Sequence, residues 1–456
     1  MTRTRPSSPA PTSRSSGLEA VAARSLSRRT LLAGGLAGGL AASLAACGSP
    51  AGATPTAIRY WNLFSGADGA RMETMLSSVR ETTGIGVDAT VLAWGTPYYT
   101  KLSMSAAGGR SPEMAIVHLS RLAGYAPLGF LDPFDLDLLA EFGVEESSFP
   151  ESVVERARYD GGLYAVPLDT HPFVVMYDTE VAEQARLLDG DGKLLPLETP
   201  EAFLEAGRAL QSVTGELGIA YGFQGDPAQA WRLFYSLYPQ LAGEIDLSGS
   251  TTGIDRDAAV QSVDLIKQML DGTIADPNAD YQSALATFNA GRAGMILTGE
   301  WELPAFLEAG IPLGAAPFPA VFGTPSAYAD SHAFVLPHQD DPDPEVRRAT
   351  HEAVAQVLKQ SFTWAEAGHV PAYAEIADSP EYAQLTPQSD YAAAADVAVF
   401  DPPAWFTGAG SNFQTQVGQA LATTLSGSAT PAEAVEDMVA RIDTILATPD
   451  PGGESA

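Results

Sequence analysis

The stretch Phe288 to Phe306, FNAGRAGMILTGEWELPAF, constrains this chain more than any other. Phe288 and Asn289 close a helix, and Gly291 lets the chain turn. Met295, Ile296 and Leu297 form a short apolar run of the kind that becomes a buried strand. Thr298-Gly299-Glu300-Trp301 then bends the chain and presents an indole, two carboxylates (Glu300 and Glu302) and a bare backbone. A strand ending in such a turn suits recognition at the carboxyl edge of an α/β sheet, where ligands sit. The same residues also read as a core strand with Trp301 as an ordinary packing residue.

The 456 residues are too many for one hydrophobic core, so two lobes are expected. The net charge is -31. Six of the 25 bases and one of the 56 acids lie in the first 46 residues. The remainder therefore carries 19 bases against 55 acids, a net of -36. Nucleic acid and anionic lipid surfaces repel such a body, which leaves nucleic acid out as a partner. The charge reads as solvation, with no specific cationic partner.

The N-terminus is an address. Residues 1–26 are Pro/Ser/Arg-rich without periodicity, the composition of an unstructured leader. Ser27-Arg28-Arg29-Thr30-Leu31-Leu32 resembles a twin-arginine export signal. Leu31 to Ala46 is a run of 16 residues without a charge, short for a membrane span and suited to a signal's apolar region. Leu44-Ala45-Ala46-Cys47 resembles a bacterial lipobox. Small residues admit a peptidase to the bond before Cys47, and the thiol is the nucleophile that takes the lipid. Cys47 is the only cysteine, so the mature chain has none left for a disulfide, a zinc site or catalysis. Residues 1–46 thus read as a lipoprotein signal peptide and 47–56 as a flexible tether.

The body opens with a strand, Ala57 to Trp61, and a turn, Asn62 to Gly69. A helix follows with Met72, Met75, Leu76 and Val79 on one face; Thr83-Gly84 stops it, and Val87 to Leu92 is the next strand. This is a β-loop-α-β unit. Its loop lies at a carboxyl edge, which makes Trp61, Asn62, Phe64, Ser65 and Asp68 cleft candidates. Ser111 to His118 repeats the turn and strand and leads into Leu119-Ser120-Arg121. Ser120 is a cleft candidate there, and Arg121 is either a ligand contact or half of a surface ion pair. Asp160-Gly161-Gly162 is a tight hairpin turn, Tyr164 to Leu168 a strand, and Phe173 to Asp178 another. After Trp301 the chain is Pro/Gly-rich to Ala329, and Glu345 to Trp364 reads as one helix. Thr430-Pro431-Ala432-Glu433 is a capping box before a C-terminal helix.

Phe288, Gly291-Arg292-Ala293-Gly294-Met295 and Gly299-Glu300-Trp301 together resemble the signature of the maltose-binding-protein-like solute-binding lipoproteins of sugar ABC importers. Gly294 stands where that signature has Ala. Tyr159 to Asp169, Asp330 to Pro337 and Gly368-His369-Val370-Pro371 extend the resemblance, which covers roughly 57–447. It implies an α/β, two-lobed periplasmic-binding-protein-like fold of type II, with a ligand cleft between lobes joined by crossover hinge segments. The implied lobes are 57–168 with 334–378, and 172–330 with 382–447. The resemblance also places Asp169 and His171 on the hinge side of the cleft. Trp231, Trp405 and Phe413 take ligand-side positions, although Trp231 reads equally well as core. Trp364 and His369 read as structural, and Glu300 and Trp301 as ligand-binding.

Catalytic motifs are absent from the sequence. There is no nucleophile elbow, phosphate loop or paired-histidine zinc motif, and the six histidines lack metal-ligand spacing. No cofactor and no metal are expected. With 55 acids in the body, carboxylate pairs are inevitable, so a lipid-anchored glycosidase stays open as an alternative. The reading is a non-enzymatic receptor on the outer face of the cytoplasmic membrane, held there only by its lipid. It captures a small solute, a sugar or oligosaccharide, and hands it to ABC permease subunits. Aromatic faces pack on the apolar face of a pyranose, and carboxylates and amides accept from its hydroxyls. A polyol phosphate or a peptide is the alternative solute.

Overall fold

Ala57–Asn62 alternates exposed and buried residues, with Ile58, Tyr60 and Asn62 facing inward. In the computed structural model, which describes residues 57–453, this strand seeds the first of two large sheets. The export signal, Cys47 and the tether lie outside the described residues. The strand order is Gly86–Val91, Ala57–Asn62, Met114–His118, His332–Pro337, Leu131–Asp132, and Ala165–Pro167 pairs with the far side of His332–Pro337. The first three strands are parallel, with Ile58 opposite Val87 and Tyr60 opposite Met114. His332–Pro337 runs antiparallel to them, with Phe334 opposite Ile116.

The second sheet is organised around Asp169–Asp178, a ten-residue strand buried over almost its whole length. Ala293–Gly299 and Leu313–Pro317 pair with it antiparallel, Leu297 opposite Val175 and Ala315 opposite Met176. Leu217–Ala220 extends the sheet parallel to Ala293–Gly299. Each sheet has its own core. The first gathers Tyr60, Met75, Val79, Ile116, Phe334, Val354 and Trp364. The second gathers Val175, Phe234, Val263, Leu297, Val417 and Met438. A smaller cluster of Val174, Ile296, Phe306 and Tyr391 covers the other face of the second sheet.

The chain passes from the first sheet to the second at Leu168-Asp169 and returns at Ser331. These crossings are bonded to each other: Leu168 N–H donates to the His332 carbonyl at 2.7 Å. A third contact joins them where Val370–Pro371 pairs with Asp169 and Thr170.

Several sequence expectations need adjusting. The first helix begins at Gly66, inside the stretch read as a turn, with Ser65 at its N-cap. The Pro/Gly-rich stretch after Trp301 contains a helix, Leu303–Glu308, and the strand Leu313–Pro317. Pro304 sits in that helix's first turn, where no N–H is needed. The helix read as Glu345 to Trp364 is two, Pro344–Leu358 and Phe362–Ala365; no breaker residue marks the gap. The capping box at Thr430 is formed, its hydroxyl accepting from Glu433 N and the Glu433 carboxylate accepting from Thr430 N. Among the described residues, no helix is long and apolar enough to cross a membrane.

Candidate functional site

The carboxyl end of Ala57–Asn62, the crossings and the helix Pro227–Leu237 frame a cavity of about 900 Å³, counting the space open to solvent. Phe64, Trp94, Tyr281, Trp301 and Tyr328 give it aromatic walls. His118, His171 and His332 supply imidazoles, Arg232 a guanidinium, and Asp68, Asp226, Asp330, Gln229 and Ser65 the remaining polar lining.

The placement of Trp301 explains the Gly-x-Trp spacing. The indole folds back over Gly299, where an added Cβ would lie 2.0 Å from the ring. Its Nε1 donates to the Tyr281 hydroxyl at 3.0 Å, and that hydroxyl donates to Glu302 at 2.6 Å. The ring is thus fixed at the cavity wall, half-buried. The Arg232 guanidinium stands 5.3 Å from the ring centroid.

Glu300 turns the other way. It is fully buried, and its carboxylate lies 3.0 Å from Nδ1 of His369. Gly368 makes this approach possible: its φ is +113°, and a side chain there would strike the Glu300 carbonyl. His369 also lies 3.3 Å from Asp68 and 3.2 Å from Asp169. Burial disfavours its charge, but the surrounding acids, Asp68 first, then Glu300 and Asp169, raise its pKa well above the usual histidine value. Burial pushes Glu300 up to about 8, and only His369 opposes that strongly.

Asp169 is the hub. Oδ1 takes His171 Nδ1 at 3.0 Å and the His332 N–H at 2.8 Å. Oδ2 takes His332 Nδ1 at 2.7 Å and Trp364 Nε1 at 2.7 Å. Burial alone would raise this carboxyl; the adjoining His332 and His171 hold it well below the usual range. Burial, then His332, pulls His171 down to about 3, so it is neutral. Burial and the neighbouring imidazoles likewise lower His118. Asp169, His171, His332 and His369 offer ligand atoms within 4.8 Å of one another, a spacing a metal ion could use. All four acceptor positions of Asp169 are already filled by N–H donors, however, so the cluster is a hydrogen-bonded hub in its own right.

Of the residues singled out from sequence, Phe64, Ser65, Asp68, His171 and Trp301 line the cavity. Asp169 and Glu300 lie behind it, as described. Asn62 supports the wall from beneath: its Oδ1 accepts from Phe64 N at 3.0 Å. Trp61 faces away, because strand alternation sends it to the side opposite Asn62, where Lys101 lies 4.7 Å over its ring. Ser120 is buried and donates to Asp330, and its hydroxyl accepts from Ala409 N at 3.0 Å. Arg121 is outside the cavity lining and makes no ion pair among the described residues; it donates to the Thr407 carbonyl at 3.1 Å and covers the Tyr99 ring at 4.6 Å. Trp231 is 0 % exposed, stacks on Tyr235 at 4.6 Å and donates to Asp401 at 2.6 Å. Phe413 packs edge-on against it at 5.2 Å, also in the core. Trp405 is half-buried against Phe406, away from the cavity. Sequence reasoning missed Trp94, His118, Arg232, Tyr281, Tyr328 and His332. Arg232 had a signal: it follows a core tryptophan on a helix, where one residue turns the side chain by about 100°.

The chain matches the profile of the family described as bacterial extracellular solute-binding protein over residues 79–395. It is 24% identical over 226 residues to a maltotriose-binding protein of Pyrococcus abyssi, covering 48% of this chain and 44% of that one. It is 23% identical over 231 residues to a maltodextrin-binding protein of Bacillus subtilis, covering 48% and 50%. The chain thus spans about half the length of these curated relatives. Among solved structures, the GacH receptor of Streptomyces glaucescens superposes with a TM-score of 0.70 at 18% identity, covering 86% of this chain and 98% of that one. The cyclic α-maltosyl-1,6-maltose-binding protein of Arthrobacter globiformis gives 0.68 at 17%, covering 86% and 99%. The fold is therefore the two-lobed, type II periplasmic-binding-protein α/β fold. With the family profile covering most of its folded body, the chain belongs to the bacterial extracellular solute-binding proteins.

Proposed function

We propose that this protein is the solute-capturing component of an ABC importer, binding a sugar or oligosaccharide in the cavity and presenting it to the permease subunits. The observation that carries the reading is the wall formed by Trp301, locked by Tyr281, in a cavity that also holds imidazole, carboxylate and guanidinium groups. An aromatic face beside convergent polar groups is what a pyranose needs. Relatives named for maltotriose and maltodextrin support the sugar class. The lipobox and twin-arginine residues support a receptor anchored through Cys47 on the outer face of the membrane.

A non-enzymatic role fits the carboxylates better than glycoside hydrolysis. Glu300, which heads the motif, is buried beneath the cavity against His369. The lining acids Asp226 and Asp330 are engaged by protein donors. A thermal-shift screen of mono- and oligosaccharides tests the reading. Ligand at ~100 times its Kd adds about 2.7 kcal/mol, and the bound sugar is recovered intact and stoichiometric. Turnover of the sugar would replace the receptor with a hydrolase.

A further inference from the structure

Arg232 is 8 % exposed, on the helix Pro227–Leu237, and lines the cavity. Its Nε is buried without a partner, and its side chain makes no ion pair or hydrogen bond among the described residues. Every acid of the cavity has an ion-pair or hydrogen-bond partner, although Asp68 Oδ1 has the ion-pair contact alone. Asp68 faces the His369 ring at 3.3 Å. Asp226 accepts from Ala228 N at 3.2 Å and Gln229 Nε2 at 3.3 Å. Asp330 accepts from Ser120 N at 3.1 Å, the Ser120 hydroxyl and Ser331 N at 2.8 Å. Burial, then His332, lowers both His171 and His118, so neither adds a competing positive charge. Arg232 is therefore the one charged side chain of the cavity with neither a hydrogen bond nor an ion pair among the described residues, although Asp226 and Asp401 favour its charge from a distance, and it stands next to an aromatic wall.

A buried charge left unpaired is costly, and a ligand group of opposite charge would supply the missing partner. Resting on the sugar-receptor reading, we propose that the solute carries one carboxylate, as in a uronic or aldonic acid or an oligosaccharide ending in one, and that Arg232 pairs with it while the sugar ring lies against Trp301. The planar guanidinium fork matches a planar carboxylate. A phosphate dianion suits the site less well, because the second charge would meet Asp68, Asp226 and Asp330 with only one guanidinium to balance it.

The test is calorimetric titration of the full lipoprotein body with matched sets: neutral hexoses and disaccharides, their uronic and aldonic acids, and their 6-phosphates. The acid of at least one set is expected to bind about tenfold or more tightly than its neutral counterpart, the difference between a charge-assisted and a neutral hydrogen bond. Arg232→Gln should weaken the acid at least tenfold more than the neutral member, and Arg232→Lys should fall between. Apo melting of Arg232→Gln should match or exceed that of the parent, because an unpaired buried cation is removed. Equal affinity across a set, a phosphate preferred over the carboxylate, or equal losses for acid and neutral sugar in Arg232→Gln would each overturn the carboxylate assignment and leave the receptor reading standing. Binding by no member of any set would overturn both.

Discussion

His332 is held to Asp169 by two of its atoms at once: its backbone N–H donates to Oδ1 at 2.8 Å, and its ring Nδ1 meets Oδ2 at 2.7 Å. Each residue begins a strand just after the chain has changed sheets. One buried carboxylate therefore ties the two crossings together, and Trp364 Nε1 adds the first core to the same knot. Domain closure in such folds bends a few residues at crossings. Here the crossings are joined at Asp169, so any bending has to occur beside this point.

Asp169→Asn tests the knot. The amide keeps the shape, but it loses the charge and turns one acceptor into a donor facing imidazole or indole N–H groups. Breaking a buried pair from one side costs about 3–5 kcal/mol. The denaturation midpoint of the ligand-free protein should fall accordingly. An unchanged midpoint would mean that the crossings are held elsewhere.

Trp301 and Trp231 should separate cleanly. Trp301 walls the cavity, so Trp301→Ala should weaken sugar binding on the order of 10- to 300-fold, from lost stacking of ~0.5–1.5 kcal/mol and lost burial of roughly 1–2 kcal/mol. Trp301→Phe should lose much less. Trp231 sits in the second core against Tyr235 and Phe413, so Trp231→Ala should cost about 3–5 kcal/mol of stability. Titration calorimetry beside melting of the ligand-free protein distinguishes them. Wild-type affinity in Trp301→Ala would remove the stacking role.

Much of this arrangement was legible because it is local. The strand-loop-helix-strand opening is carried by alternation at Ile58 and Tyr60, the stripe Met72, Met75, Leu76, Val79, and the stop at Gly84, whose φ is +76°. Phe64, Ser65 and Asp68 follow from that loop, and Trp301 from its glycine. The same alternation would have excluded Trp61, since Ile58, Tyr60 and Asn62 already occupy the inner face. Trp94 and Tyr281 were not legible. They meet only because distant elements converge on one cavity, and no local period records that. On the helix Pro227–Leu237, choosing Trp231 over Arg232 was a choice of face, and hydrophobicity pointed to the core. The histidine hub was invisible for the same reason: His171, His332 and His369 are far apart in sequence and adjacent in space.

The anchor makes its own prediction, from Leu44-Ala45-Ala46-Cys47. Cys47→Ala should abolish incorporation of radioactive fatty acid and leave the leader uncleaved at that bond. Arg28→Lys with Arg29→Lys should leave precursor in the cytoplasm. Equal label in the cysteine variant, or undiminished export of the double variant, would point to another route.

The second core holds a group whose titration runs against the usual direction for a carboxylate. Asp401 is buried and accepts from Trp231 Nε1 at 2.6 Å and Gln414 Nε2 at 2.8 Å. Burial, then the neighbouring Asp330, raises its pKa from 3.8 to about 7, and the two donors only partly offset this. The folded state therefore binds this proton more tightly than the unfolded state. Its contribution is fully present below pH 3.8 and is lost progressively as pH rises to about 7, levelling off above that. At 1.36 kcal/mol per unit the whole effect is on the order of 4 kcal/mol at most. Asp401→Asn removes the titration and keeps an acceptor for the indole. The stability of Asp401→Asn relative to the parent should therefore improve steadily between about pH 4 and 7 and then stay constant. Urea unfolding at half-unit pH steps measures that difference directly. A difference that is flat across this window would show that Asp401 is ionised throughout, with the indole and amide donors outweighing its burial.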